Sequence, residues 1–272
     1  MEPLRKPEGT FMVVNRDNAL GAFNGYAGEY DSRNPRIALK IDHTLRVAAL
    51  CDRIARSLAL SEDDVDLAWL LGLLHDIGRF EQLRRFDSFS DSLVDHATLG
   101  AHVLFSSEEQ DEPLVRRFIP DISEDVLIRT AVQTHSAYRL PADQTPRTRM
   151  FCNILRDADK IDILEVNCTS PIEDIYNVPE SAMVQSELSP ECVEIFYEHR
   201  CIPRGIRRHP ADIMLGHICF AWELVFEESL TIAREQGHLQ TMLHRTWKNP
   251  ETQSAFKEIA THMQSTLGIP ST

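Results

Sequence analysis

The sequence predicts an all-α protein, and three observations carry that reading. Apolar residues recur at helical spacing in several long segments. Residues suited to cap helix ends stand in front of such segments, twice followed by proline where a helix tolerates it. No stretch alternates apolar and polar residues over the length of a strand, and no Asn-Gly or Asp-Gly turn joins two such stretches.

Taken in order, residues 37–58 place Leu39, Val47, Leu50, Cys51, Ile54 and Leu58 at near-helical spacing. Ser61 opens the next helix. Asp64 lies three residues on, an approximate capping box, and Glu62 and Asp63 suit the positive helix end. That helix runs to about residue 75. Ser123 reads as the N-cap of a helix carrying Val126, Leu127, Ala131 and Val132. Residues 149–165 form a fourth. Ser189–Pro190 and Asn249–Pro250 open two more. Residues 210–234 read as one long helix, apolar around most of its circumference and so buried on two sides. The turn-rich stretches at 141–146, 169–179 and 203–210 are too short to mark a boundary, so one domain over residues 1–272 is expected.

With 43% hydrophobic and 26% charged residues the chain is expected to be soluble and to bury a large core. Its formal charge of −14 argues against a nucleic-acid polymer or an anionic membrane as partner, because no excess of Lys and Arg can displace counterions. A small anionic substrate stays compatible, since a metal ion reverses the field inside a cleft. The six cysteines form no Cys-x-x-Cys pair, the opening residues hold no long apolar run, and no uncharged run nears the roughly 18 residues of a membrane span. A cytoplasmic location with free thiols is the expectation. A homodimer would suit such a protein, though no residue marks it.

Chemistry enters with Leu70–Phe80, LLGLLHDIGRF, where an apolar run ends in His75 and Asp76. A bare buried carboxylate is costly unless something cationic meets it. Four other segments offer a ligand-type residue on an apolar face. His43 lies in a row with Val47, Cys51 and Ile54. His96 precedes Leu99, Gly100 and Val103. His135 follows Ile128, Ala131 and Val132. Asp159 sits between Leu155 and Ile163. One such histidine is ordinarily a hydrogen-bonded core residue. Five segments around an adjacent His–Asp pair point to a metal site.

In that order, His, then His-Asp, then His, His and Asp, the chain resembles the HD-domain superfamily of metal-dependent phosphohydrolases. HTLRVAALCDRIA resembles its first-histidine helix, LLGLLHDIGR its LLHDIGK signature, and DHATLGAHVL the HxxxGAxLL segment of two-metal members. AVQTHSAYRLP resembles the helix end with a further histidine, and RDADKIDIL the final-aspartate segment. The likeness covers residues 37–167, about half the chain. It implies an HD-like helical bundle with a C-terminal helical extension over residues 168–272.

The resemblance implies two divalent ions, with Mn, Fe, Zn and Mg all open. His43, His75 and Asp159 would hold the first, Asp76 would bridge both, and His96 and His135 would complete the second. Asp159 is preferred to its neighbours Asp157 and Asp162 because it takes the family's Ala-Asp-Lys position. Asp76 and Arg79 would be the catalytic residues, a metal-activated hydroxide being the nucleophile. Arg79 would neutralise phosphate charge, although an ordinary helix-end arginine reads equally well. Lys160 and Arg139 are weaker candidates for substrate phosphate. Asp95 would orient the ring of His96, a solvated Asp being the equal alternative. His102 lies about 240° round its helix from His96 and is not expected to be a ligand. His199, His209, His217, His238, His244 and His262 form no spacing motif, and the basic run at 204–210 reads as a solvated loop or a greeting for an anion.

No Gly-Tyr-Pro follows the His–Asp pair, so a cyclic-di-nucleotide substrate is not supported. The expected activity is hydrolysis of a phosphomonoester or phosphodiester, of a nucleotide or related small molecule. Two other readings stay open: a di-iron oxygenase of the same ligand set, and a non-catalytic metal-binding sensor or scaffold. Residues 168–272 are expected to shape the substrate pocket.

Overall fold

Helix follows helix through the computed structural model, which describes residues 14–107 and 112–269. The opening residues, on which the reading of the chain's start rests, lie outside the described ones up to position 13. Among the described residues there is no strand, and no helix is long and apolar enough to cross a membrane. The six cysteines are free.

Helix α1 (Arg16–Ala27) starts at Asn15, whose side chain accepts the N–H of Asn18. Helices α2 (Pro35–Ser57) and α3 (Glu62–Leu74) pack along each other. Ser61 caps α3 as expected, its Oγ 3.3 Å from the N–H of Asp64. Every residue of α3 from Leu67 to Leu74 is buried, so this helix forms the centre of the bundle. It ends at Leu74, and α4 (Ile77–Phe86) begins three residues later. His75 and Asp76 therefore fall at a helix–helix junction inside the core.

Helix α5 (His96–Phe105) crosses close to α4. A Cβ on Gly78 would lie 2.3 Å from the His96 carbonyl oxygen and 2.5 Å from the Gly100 nitrogen. Only glycine lets these two backbones touch, and the contact brings His96 to Asp76. Helices α6 (Asp125–Thr134) and α7 (Pro146–Thr169) complete this half. Thr145 caps α7 and Pro146 stands in its first turn, so the helix starts ahead of the expected residue 149.

The later residues form α8 (Ile172–Tyr176), α9 (Glu180–Gln185), α10 (Pro190–Tyr197), α11 (Pro210–Ile218), α12 (Glu227–Gln236), α13 (His238–Leu243) and α14 (Pro250–Leu267). Two apolar clusters result. The first runs from α1 through α7, and the second fills the space among α8–α14. They meet along α7, which gives Ile161 to the first and Leu164 to the second.

Two helix expectations fail. The stretch 210–234 is not one helix. The N–H groups of Val225 and Phe226 donate to the buried Asp157 carboxylate, at 2.8 and 3.1 Å, and this holds the backbone out of helix between α11 and α12. Ser123 does not cap α6: the helix starts after Glu124, and the Ser123 N–H donates to Asp121 Oδ1. Ser189–Pro190 opens α10 as expected, and the Ser189 hydroxyl donates to Asp212 at 2.8 Å. The loop expected over 169–179 also contains the short helix α8.

Candidate metal centre

The structure brings His43, His75, Asp76, His96, His135 and Asp159 together. All six are buried. Helix α2 supplies His43, the α3–α4 junction supplies His75 and Asp76, and α5 opens with His96. His135 follows the last residue of α6, and Asp159 lies inside α7.

The two oxygens of Asp76 face two histidine pairs. Oδ2 lies 3.5 Å from His43 Nε2 and 3.6 Å from His75 Nε2. Oδ1 lies 3.4 Å from His96 Nε2 and 3.6 Å from His135 Nε2. Asp159 joins the first pair, with Oδ1 3.2 Å from His43 Nε2 and 3.7 Å from His75 Nε2.

The opposite edge of each ring is held by an acceptor. His75 Nδ1 donates to the Gly72 carbonyl and His135 Nδ1 to the Val132 carbonyl, each at 2.7 Å. Both rings thus cap the last turn of the helix they follow. His96 Nδ1 donates to Asp91 at 2.6 Å. His43 Nδ1 donates to Asp162 at 2.5 Å, and Arg46 grips that carboxylate through two nitrogens at 2.6 and 3.0 Å. Such partners fix the ring tautomer and raise the basicity of Nε2.

The result fits a cation. His96 Nε2 and His135 Nε2 stand 3.0 Å apart, and both Nδ1 atoms already carry the ring proton. Two lone pairs cannot bond each other, so that spacing suits an ion between them and Asp76. The Nε2 atoms of His43 and His75 are 3.2 Å apart. Burial lowers the His43 pKa, but hydrogen bonds to Asp159, Asp162 and Asp76 outweigh it and raise the ring to about 10. A proton therefore fills this half when no ion does. Burial pushes His75 down to about 4 and His96 to about 3, so both are neutral near pH 7. Burial acts to raise Asp76, yet Lys40 and the histidines hold it well below the ordinary carboxylate range. Among the described residues three groups have metal-holding spacing: His43–His75–Asp76 and Asp76–His96–His135, both fully buried, and the more exposed Asp91–Asp95–His96.

A cleft of about 710 Å³ opens beside the cluster. Arg79 lines it. Its Nη1 donates to Gln82, Phe89 and Asp91, while its Nε is buried with no partner, 3.8 Å from Asp76 Oδ1. Lys160 lines the cleft and faces Glu223 at 3.4 Å. Arg139 lies outside the cleft lining, because Glu223 holds it at 2.6 Å and it stacks on Tyr138. Asp95 does not orient His96. It caps α5 through the Thr98 N–H at 2.7 Å, and Asp91 takes the ring instead.

Lys40 was not singled out by sequence. Its ammonium lies 2.7 Å from Asp76 Oδ2 and also lines the cleft. Its place one helical turn before His43 is the signal that could have found it. Asp91 carried no signal, since it acts from a loop. Asp162 serves His43 from behind, and Asp157 ties down the segment after α11. His102 is exposed. Of the later histidines, His217 lines the cleft, and so do Arg204 and Arg207 of the basic run.

Buried imidazoles and carboxylates converging from five helices define a metal-binding all-α protein. Residues 41–167, a little under half of the chain, match the family model of the HD domain, which supports the HD superfamily for this segment. No curated protein and no solved structure matches the chain.

Proposed function

We propose that the protein hydrolyses a phosphate ester of a small molecule, a nucleotide being the leading class, with two divalent ions held by His43, His75, Asp76, His96, His135 and Asp159. The observation that carries this reading is the division of Asp76. Each of its oxygens faces its own pair of Nε2 atoms, and every ring is locked from behind by an acceptor.

When bound, such ions act as Lewis acids toward a phosphoryl oxygen and make water acidic enough to attack at neutral pH. The chain's own residues do the rest. Asp76 joins the two halves and keeps their separation fixed. Asp162 and Asp91 hold the rings of His43 and His96 in register. Arg79 offers a buried Nε–H, without an acceptor of its own, to an oxygen of the phosphoryl group. Lys40 adds a second positive charge at the same edge. Phe89 lies under both, 5.3 Å from the Lys40 nitrogen and 5.6 Å from the Arg79 guanidinium carbon. In a chain of net charge −14, this concentration of cations on one cleft favours an anion there.

The test is phosphate release from a panel of phosphomonoesters and phosphodiesters by manganese-loaded protein, with Asp76→Ala alongside and folding checked by circular dichroism. The wild type should cleave at least one ester, and Asp76→Ala should lose more than about 100-fold, beyond the loss typical of an orienting partner. A loaded, folded protein that cleaves none would overturn the reading. Oxygen uptake by an iron-loaded sample would move the assignment to an oxygenase.

A further inference from the structure

The cleft does not end at the metal centre. Asp159, Lys160, Ile163, Val166 and Asn167 line it in succession, so it follows α7 for about 12 Å of helix axis. Its middle is apolar, between Ile163 and Val166 on one side and Ile202, Ile213 and Phe220 on the other. Its far end is polar and built from Arg207 and His217.

Arg207 has no carboxylate partner among the described residues. Its Nε and Nη2 donate to the Ile202 carbonyl, at 3.1 and 2.5 Å, and its Nη1 donates to no described residue. The acids on the cleft are engaged elsewhere. Asp159 faces His43 and His75, Asp91 binds His96, Arg79 and Arg204, and Glu223 binds Arg139 and Lys160. The guanidinium has a shaped seat on α11: a Cβ on Gly216 would lie 2.5 Å from its central carbon. A largely buried cation held this way, without a counter-charge, is costly until an anion meets it.

His217 presents a donor beside it. The Tyr176 hydroxyl donates to Asn167 Oδ1, and Asn167 Nδ2 donates to His217 Nδ1 at 3.1 Å. Nδ1 is thus an acceptor, which leaves the proton of the neutral ring on Nε2. That N–H has no acceptor among the described residues. Arg207 and His217 therefore both offer unengaged donors at the far end.

We propose that Arg207 and His217 form a second anion subsite, so that the substrate carries a carboxylate or phosphate at the end remote from the reacting phosphate, joined to it by an apolar middle. The assignment of the reacting group rests on the phosphate-ester reading above, whereas the subsite stands on its own geometry. A guanidinium matches either oxyanion in two-point fashion.

Two measurements on metal-loaded full-length protein test it. In the first, inorganic phosphate is titrated by calorimetry. The wild type should bind at two sites, and Arg207→Gln should lose one of them. Arg207→Lys, which keeps the charge without the fork, should bind there at least about tenfold more weakly. In the second, KM is compared for phenyl phosphate, 4-carboxyphenyl phosphate and 1,4-phenylene bisphosphate. The acid-bearing esters should show KM values at least about tenfold below the plain one, and that ratio should fall toward one in Arg207→Gln. The better of the two tells carboxylate from phosphate. Unchanged phosphate stoichiometry in folded Arg207→Gln would overturn the subsite. If no ester is cleaved, the hydrolase reading fails and calorimetry still decides the subsite.

Discussion

Each histidine of the centre is set by what lies behind it, and this gives the metal-free protein a definite pH dependence. The folded pKa of His43, about 10, lies above its unfolded value of 6.5. Its stabilisation is complete below pH 6.5 and is lost as pH rises through 10. His75 and His96 are shifted the other way, to about 4 and about 3. The unfolded chain takes up their protons first, so their contribution is present above pH 6.5 and is lost as pH falls. Thermal melts of chelator-treated protein between pH 5 and 10 should peak near pH 6.5. Saturating metal should flatten the alkaline limb, because an ion then replaces the His43 proton. A melting temperature that keeps rising from pH 7 to 10 without metal would refute the proton on His43. At this scale the six clustered residues were readable, because imidazoles and carboxylates on apolar helix faces have few other reasons to be there. Their partners were not. Asp91 acts from a loop, and Asp162 differs from Asp157 only in the direction each faces around α7.

At the scale of elements, the close approach of α4 and α5 positions half of the cluster. Gly78→Ala would put a methyl group into the His96 carbonyl and the Gly100 backbone. Backbone on both sides cannot swing away as a side chain can. The expected cost is about 1–3 kcal/mol, with a lower melting temperature and weaker metal retention in the half formed by His96 and His135. Metal per chain after dialysis, measured by plasma mass spectrometry, checks this. Retention equal to wild type would show that the two helices separate without disturbing the site. Helix starts were legible at Ser61 and at Asn249 before Pro250, where a local capping signal acts. They were illegible where a distant group intervened. Asp157 lies 68 residues from Val225 in sequence, and nothing local to residues 210–234 announces that the helix must break there.

Over the whole molecule, α7 is the shared wall of two apolar clusters. Ending the chain after residue 170 would strip the second cluster and expose Leu164, which is 1% accessible in the full chain. Such a protein should aggregate on expression even though it keeps every clustered His and Asp. Solubility and size-exclusion profiles beside full-length protein check this. A soluble, metal-binding fragment would show that the first half folds alone. The likeness to the HD domain stops near residue 167, and the later half carries no motif. Its role became visible only when Cys201–Arg207, His217 and Glu223 appeared on the cleft.

That division of labour along the cleft has an evolutionary consequence. The residues that gather around Asp76 all precede position 160, and the opposing wall is drawn from residues after 200. Drift or selection in the second stretch can retune which molecule is admitted while the reacting groups stay untouched. Sequence change in this protein should therefore trade one diet for another far more readily than it trades one chemistry for another.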